Sequence, residues 1–344
     1  MTNTRSASIV ICCYNSAKRL ELPLRSMAEQ ELPDGFAGEL ILVDNNSTDD
    51  TSQVAAALWD ALGAPGFTLR IVPESEQGLQ HARLRGIQCA SHECCFFVDD
   101  DVVLSKRFLA TALRLFDQHA DTAVFGGWVD PLFEPGLTEP EWFRSIDGVF
   151  TVGNKGDTAH ACSSAPGAAM MLRLSVVRAL LAGGFEFMMR DRTAATLSGG
   201  GDTELCLALQ VLGWRVYYDP ELRISHLVPA SRLKWSYIKG VARGMGHGEV
   251  FLQTYRKQLE LDNRDDRLWV GFKYAWIVQL VGRSLQAARC SWRSALQQRR
   301  GQQVSHDRIM AEIYLGMVEM LLREWRRYRS HFARVRELSY RKQT

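Results

Sequence analysis

Residues Cys94-Cys95-Phe96-Phe97-Val98-Asp99-Asp100-Asp101 pass from five apolar side chains straight into three carboxylates. An unbroken apolar run of this length reads as a strand buried on both faces, as in parallel sheets covered by helices. Adjacent carboxylates repel one another, so an acidic triplet at the mouth of such a strand is costly unless a cation sits there. Hard ions such as Mg²⁺ take oxygen ligands, commonly one or two carboxylates plus substrate phosphates. The plainer alternative is a solvated acidic turn that caps a helix beginning near Ser105.

The surrounding chain favours the cation. Strand patterns at Ser8–Cys13, Glu39–Val43 and Thr68–Val72 alternate with helical patterns at Ala17–Glu29, Asp49–Leu62 and Leu79–Ala90. That alternation predicts an α/β fold, a mostly parallel sheet with helices on both faces. Ligands of such sheets collect beyond the carboxyl ends of the strands. Tyr14-Asn15, Asp44-Asn45-Asn46 and Asp99 to Asp101 all fall there. Between Asp130 and Pro166, Pro131, Pro135 and Pro140 break the pattern into a long irregular excursion, of a kind that is often functional. A strand at Ala168–Leu172, a helix at Ser175–Leu181 and a helix at Asp202–Leu212 follow, then short strands at Arg215–Tyr218 and Leu222–Ser225. Beyond Ser231 the chain reads as helical. The expected division is a catalytic domain over 1–230 and a helical C-terminal extension over 231–344.

Bulk composition excludes several classes. The 344 residues are 46% hydrophobic and 23% charged, with a net charge of +2, so no basic excess points to nucleic acid. The longest apolar stretch, Leu268 to Gly282, is short for a bilayer and interrupted by Lys273. None of the eight cysteines forms a CxxC pair, which argues against a structural zinc site. With no export signal in the first residues, a reduced, cytoplasmic protein is expected.

The segment Val43-Asp44-Asn45-Asn46-Ser47-Thr48-Asp49-Asp50-Thr51 is partly explained by its helix. Ser47 or Thr48 can cap it, and Asp49 and Asp50 suit its positive end. Asp44 needs another reason; it could accept a hydrogen bond from a nucleobase edge, with Tyr14 as an aromatic surface. Ile9 to Asn15, Leu42 to Thr51, Gly78 to Ile87 and Phe97 to Asp101 together resemble the successive motifs of family 2 glycosyltransferases, in order and spacing. The resemblance covers roughly the first 225 residues. It implies a GT-A fold, Rossmann-like in its layering, and a nucleotide-sugar donor, most often a UDP-sugar. It further implies Mg²⁺ or Mn²⁺ and inversion at the anomeric carbon.

Carried over by position, the resemblance places Tyr14, Asn15, Asp44 and Asn46 at the base and ribose end. Arg83 and Asp100 join the donor site. Asp99 and Asp101 form the metal-binding DxD pair, with Asp99 also facing the ribose or sugar and Asp101 on the metal. The stretch Gly200-Gly201-Asp202-Thr203-Glu204-Leu205 resembles the later acidic motif, with Gly201 in place of its first acidic residue. Asp202 aligns with the general base, leaving Glu204 as an acceptor-binding or supporting group; alternatively both merely favour a helix N-terminus. An acceptor hydroxyl is a weak nucleophile, and a carboxylate that takes its proton is worth about 10²–10⁴-fold in rate. His226 falls where the family has a metal-binding histidine. Leu84 and Leu104-Ser105 depart from common family residues. Trp128 and Trp142 fit either sugar stacking or packing.

The resulting expectation is a metal-dependent inverting enzyme acting on a glycan or lipid-linked acceptor. The alternatives are a catalytically silent nucleotide- or glycan-binding subunit, or a sugar nucleotidyltransferase; the latter lacks a phosphate-gripping glycine loop between Cys12 and Lys18. From Leu321 to Thr344, eight Lys or Arg face two Glu. Such a segment fits a membrane surface or an ordinary solvated basic face equally well.

Overall fold

The computed structural model describes residues 5–64, 66–189 and 199–340, in two compact units. The first comprises Met1–Leu132, Thr151–Phe185 and Trp214–Leu227. It begins β1 (Ser6–Cys13), α1 (Glu21–Ala28), β2 (Ala37–Asp44), α2 (Thr51–Leu62), β3 (Phe67–Pro73), α3 (Leu79–Cys89), β4 (Cys94–Asp99) and β5 (Val102–Leu104). After α4 (Phe108–Gln118) come β6 (Thr122–Phe133), β7 (His160–Ala161), β8 (Ala169–Arg173), α5 (Leu174–Ala182) and β9 (Arg215–Val228).

The sheet runs β3-β2-β1-β4-β8-β6-β9-β5, with β7 paired to β9. Strands β3, β2, β1 and β4 are parallel, and β8 then joins β4 antiparallel. Three of the parallel strands, β1, β2 and β4, hold continuous apolar runs: Ile9, Val10, Ile11, Leu40, Ile41, Leu42, Cys94, Cys95 and Phe96 are all wholly buried, whereas β3 at the edge is mostly half-buried or exposed. Burial on both faces removes any need for alternation. All four strands end on the same edge, where β1 releases Tyr14, β2 ends on Asp44 and β4 on Asp99.

Two strands depart from the sequence reading. The residues read as two short strands form the single strand β9, and β6 runs into the stretch expected to be irregular. Gly126, Gly127 and Pro131 mask β6 in the sequence, because glycine and proline are depleted in strands. Gly127 is there for space: a Cβ on it would stand 1.8 Å from the Leu222 carbonyl oxygen.

The second unit comprises Phe133–Phe150, Glu186–Gly213 and Val228–Thr344. It holds α6 (Gly201–Val211), α7 (Trp235–Asn263), α8 (Arg267–Lys273), α9 (Trp276–Arg299) and α10 (His306–Tyr340). This grouping differs from a boundary at residue 230, because α6 sits with the later helices. Leu205, Cys206, Leu207, Ala208, Leu209 and Val211 are all buried. A helix apolar on every side is a core helix, and α7 and α10 pack against it. Gly246 and Gly316 let α7 and α10 touch backbone to backbone: a Cβ on either would lie 2.1 Å from the Ile313 oxygen or 2.4 Å from the Arg243 oxygen, respectively. Trp142 joins Phe143 and Phe150 in an aromatic cluster of this unit. Arg341 and Lys342 of the basic terminus lie outside the described residues. Among the described residues no helix is long and apolar enough to cross a membrane.

Candidate functional site

The sheet unit gathers Tyr14, Asn15, Asp44, Asn46, Arg83, Asp99, Asp100, Asp101 and His226; Asp202 and Glu204 belong to the helical unit.

At the end of β1 the chain turns sharply. Asn15 adopts a left-handed conformation with φ 50°, which Asn tolerates better than most residues. Its side-chain oxygen accepts from the Thr48 N–H at 2.8 Å, and its own N–H donates to Ser47 Oγ at 3.1 Å. Asn15 thus ties the turn after β1 to the turn after β2. Asp44 holds that second turn, accepting from the Ser47 N–H at 3.0 Å and from the Ser52 hydroxyl. Asn46, exposed and at φ 61°, forms its apex. Tyr14 is half-buried beside them, its N–H bonded to Ser16 Oγ.

Asn45 was not singled out from the sequence, yet it is buried. Its amide oxygen accepts from the Gly78 N–H at 2.7 Å, and its amide nitrogen donates to the Glu76 carbonyl at 2.6 Å. Those bonds fix the loop that leads into α3, on which Arg83 stands. Arg83 reaches back under the sheet edge, 3.6 Å from Asp99 Oδ1, and donates to the Gly167 carbonyl at 3.2 Å. Its guanidinium also lies over the Phe97 ring. The 31% exposure of the Asp99 side chain leaves it accessible to a ligand.

Asp100 was expected among the donor-binding groups, and its surroundings point elsewhere. Its Oδ2 accepts from the Ser16 hydroxyl and from Arg19 Nη2 at 2.7 Å. Burial pushes its carboxyl up to about 6, against the pull of Arg19. With one oxygen engaged this way and little surface left, Asp100 braces the β1 turn against the end of β4. Ser16 and Arg19 were missed in the sequence, since one Ser and one Arg in a turn carry no distinguishing spacing.

Asp101 and His226 meet across a strand pair. Val102 of β5 is in register with His226 of β9, and the Leu227 N–H donates to the Asp101 carbonyl at 2.9 Å. This puts His226 Nε2 3.2 Å from Asp101 Oδ1, both side chains less than a tenth exposed. Ligands at right angles around a Mg²⁺-type ion, at about 2.1 Å each, stand roughly 3.0 Å apart. The observed spacing therefore suits two neighbouring ligands of one octahedral ion. Among the described residues no three His, Cys, Asp or Glu side chains form a metal cluster by themselves.

Burial also removes cysteine chemistry from this edge. The Cys12 thiol, in register with Asp99, is pushed up to about 12. No thiolate nucleophile is available there near neutral pH.

In the helical unit, α6 begins after Gly200, whose φ of 126° is reserved for glycine. Asp202 lies in the first turn, partly exposed, with its Oδ1 bonded to the Thr203 N–H. Glu204 is different. It is wholly buried, and its carboxylate accepts from the N–H groups of Met188 and Met189 and from the Tyr255 hydroxyl at 3.0 Å. His331 Nε2 approaches to 3.7 Å. Of the two roles expected for Glu204, acceptor contact has no surface here; the geometry is that of a support.

Comparison with known proteins accords with this picture. The model of Glycosyl transferase family 2 matches residues 8–181. The uncharacterized glycosyltransferase YfnE of Bacillus subtilis is 28% identical over 120 residues, 35% of this chain and 29% of that protein. The poly(ribitol-phosphate) beta-N-acetylglucosaminyltransferase TarS of Staphylococcus aureus is 30% identical over 112 residues, 33% of this chain and 19% of TarS. The matched region thus spans less than a third of either relative. The mannosyltransferase PcManGT of Pyrobaculum calidifontis, solved with GDP-Man and Mn²⁺, superposes with a TM-score of 0.57 at 18% identity, covering 93% of this chain and 86% of its own. At that identity the likeness establishes the fold, which is GT-A. With the family model spanning half of its length, the chain belongs to glycosyl transferase family 2.

Proposed function

We propose that this glycosyltransferase moves a sugar, with inversion and with a divalent cation, from a nucleotide-sugar to a hydroxyl of a glycan or lipid-linked acceptor. The observation that carries the reading is the pairing of Asp101 Oδ1 with His226 Nε2 at 3.2 Å, with the partly exposed Asp99 two residues before Asp101. Asp101 and His226 would hold a Mg²⁺ or Mn²⁺ ion, which would neutralise charge on the departing diphosphate. The Mn²⁺ and GDP-Man named for PcManGT are in keeping with that chemistry. UDP-sugars are the first donors to test.

In this reading Tyr14 and Asp44 receive the base, and Asn15 and Asn46 shape the loop around it. Arg83 holds Asp99 toward the ribose or sugar. Asp202 takes the proton of the attacking hydroxyl, and Glu204 keeps the start of α6 in place. The test is a panel of nucleotide-sugars with Mn²⁺ or Mg²⁺, read by thermal shift and then by donor turnover. One nucleotide-sugar should raise the melting temperature in a metal-dependent manner, and Asp101→Asn should abolish the metal dependence. Equal stabilisation with and without metal would sink the metal assignment, and turnover unaffected by Asp202→Asn would sink the base.

A further inference from the structure

Helices α8 and α9 present an apolar surface that no other described residue covers. On α8, Leu268 is 89% exposed, with Trp269 and Phe272 more than half exposed. On α9, Ile277, Val281, Leu285, Trp292 and Leu296 are exposed. Their spacing of four, four, seven and four puts them on one helical face. Arg289 fills the one gap in that series, four residues after Leu285. At 24 residues α9 makes a narrow strip roughly 36 Å long.

Charge selects the partner. From Arg267 to Ser305 there are seven Lys or Arg and no Asp or Glu. Arg289, Arg299 and Arg300 are exposed, and none forms an ion pair among the described residues. A second copy docked through the same face would set cations against cations. A long apolar strip with basic side chains beside it also suits a plane. Exposed Trp and Leu beside Arg, on two helices that themselves carry no Asp or Glu, match the boundary between acyl chains and anionic headgroups. The same pairing of ring and cation continues at the joint between α8 and α9. A cavity of about 620 Å³ there is lined by Tyr274, Trp276, Tyr328, Phe332, Lys257 and Arg329, with Glu337 as its one acidic residue. Lys257 Nζ lies 3.8 Å from the centre of the Phe332 ring.

We propose that the α8–α9 face docks on an anionic phospholipid bilayer, lying in its interface with Trp269, Phe272 and Trp292 inserted and Arg289, Arg299 and Arg300 on the headgroups. The docking needs no donor, metal or turnover, so it stands or falls apart from the assigned chemistry.

The test is flotation of the full chain with vesicles of phosphatidylcholine alone or mixed with phosphatidylglycerol. The wild-type chain should float with the anionic vesicles only, with a blue-shifted Trp emission, and high salt should release it. The Trp269→Ser, Phe272→Ser, Trp292→Ser variant and the Arg289→Glu, Arg299→Glu, Arg300→Glu variant should each bind about tenfold or more weakly. Because these side chains are exposed, both variants should keep the wild-type melting temperature and metal-dependent donor binding. Absence of binding to anionic vesicles, equal binding to neutral ones, or wild-type binding by both variants would overturn the proposal. So would a concentration-dependent dimer that the triple Ser variant dissolves.

Discussion

In the sheet unit, the carboxylates at the strand ends keep part of their surface. Asp99 is 31% exposed and stands 3.6 Å from Arg83. In the helical unit, Glu204 has no exposed surface, and its oxygens are occupied by two backbone N–H groups and a tyrosine hydroxyl. A carboxylate at a strand end points into the ligand crevice of an α/β sheet. One buried at the first turn of a core helix must be satisfied by donors or it destabilises the fold. Acidic residues of similar type, each in a short motif, therefore do opposite work.

That contrast can be broken by substitution. The largest effect expected is on turnover: Asp202→Asn should lower it by about 10²–10⁴-fold while leaving the melting temperature near wild type. Asp101→Asn should follow, at about 10²–10³-fold in turnover, with the response to Mn²⁺ lost in the same assay. Glu204→Gln should act on stability. It sets an amide NH₂ among donors, at a cost of about 3 kcal/mol in denaturant unfolding. A stable Glu204→Gln protein with crippled turnover would erase the distinction between the units.

Smaller effects sharpen the same comparison within the sheet. Asn45→Ala leaves the Gly78 N–H and the Glu76 carbonyl without their partner, and should cost about 1–2 kcal/mol with weaker donor binding. The smallest prediction concerns Glu39, a buried strand carboxylate. Burial pushes its pKa up, but hydrogen bonds from Ser8, the Ser91 N–H and Arg70 outweigh this and hold it below the usual 4.5. A lowered folded pKa contributes stability above the unfolded value and loses it as pH falls through the folded one. The melting-temperature gap between wild type and Glu39→Gln should be constant above pH 4.5 and close below it.

The parallel half of the sheet was legible in the sequence because β1, β2 and β4 contain unbroken apolar runs and helical periodicity separates the strands. Even the residues at their ends could be named, since a strand end and a ligand crevice coincide in this architecture. The antiparallel half was not legible. Strand β6 contains Gly126, Gly127 and Pro131, and β5 is three residues long, too short for a periodicity to register.

The sequence by itself determined the family, the order of the motifs and the polar residues at the strand ends, because each depends on local pattern and spacing. Tertiary structure alone decided which of those residues stand together. His226 reaches Asp101 only through the pairing of β5 with β9, across 125 residues of chain. Only the fold brings Ser16 and Arg19 onto Asp100, and Met188, Met189 and Tyr255 around Glu204. A carboxylate's role is set by which donors surround it and whether water can reach it, and neither is written in its neighbours along the chain.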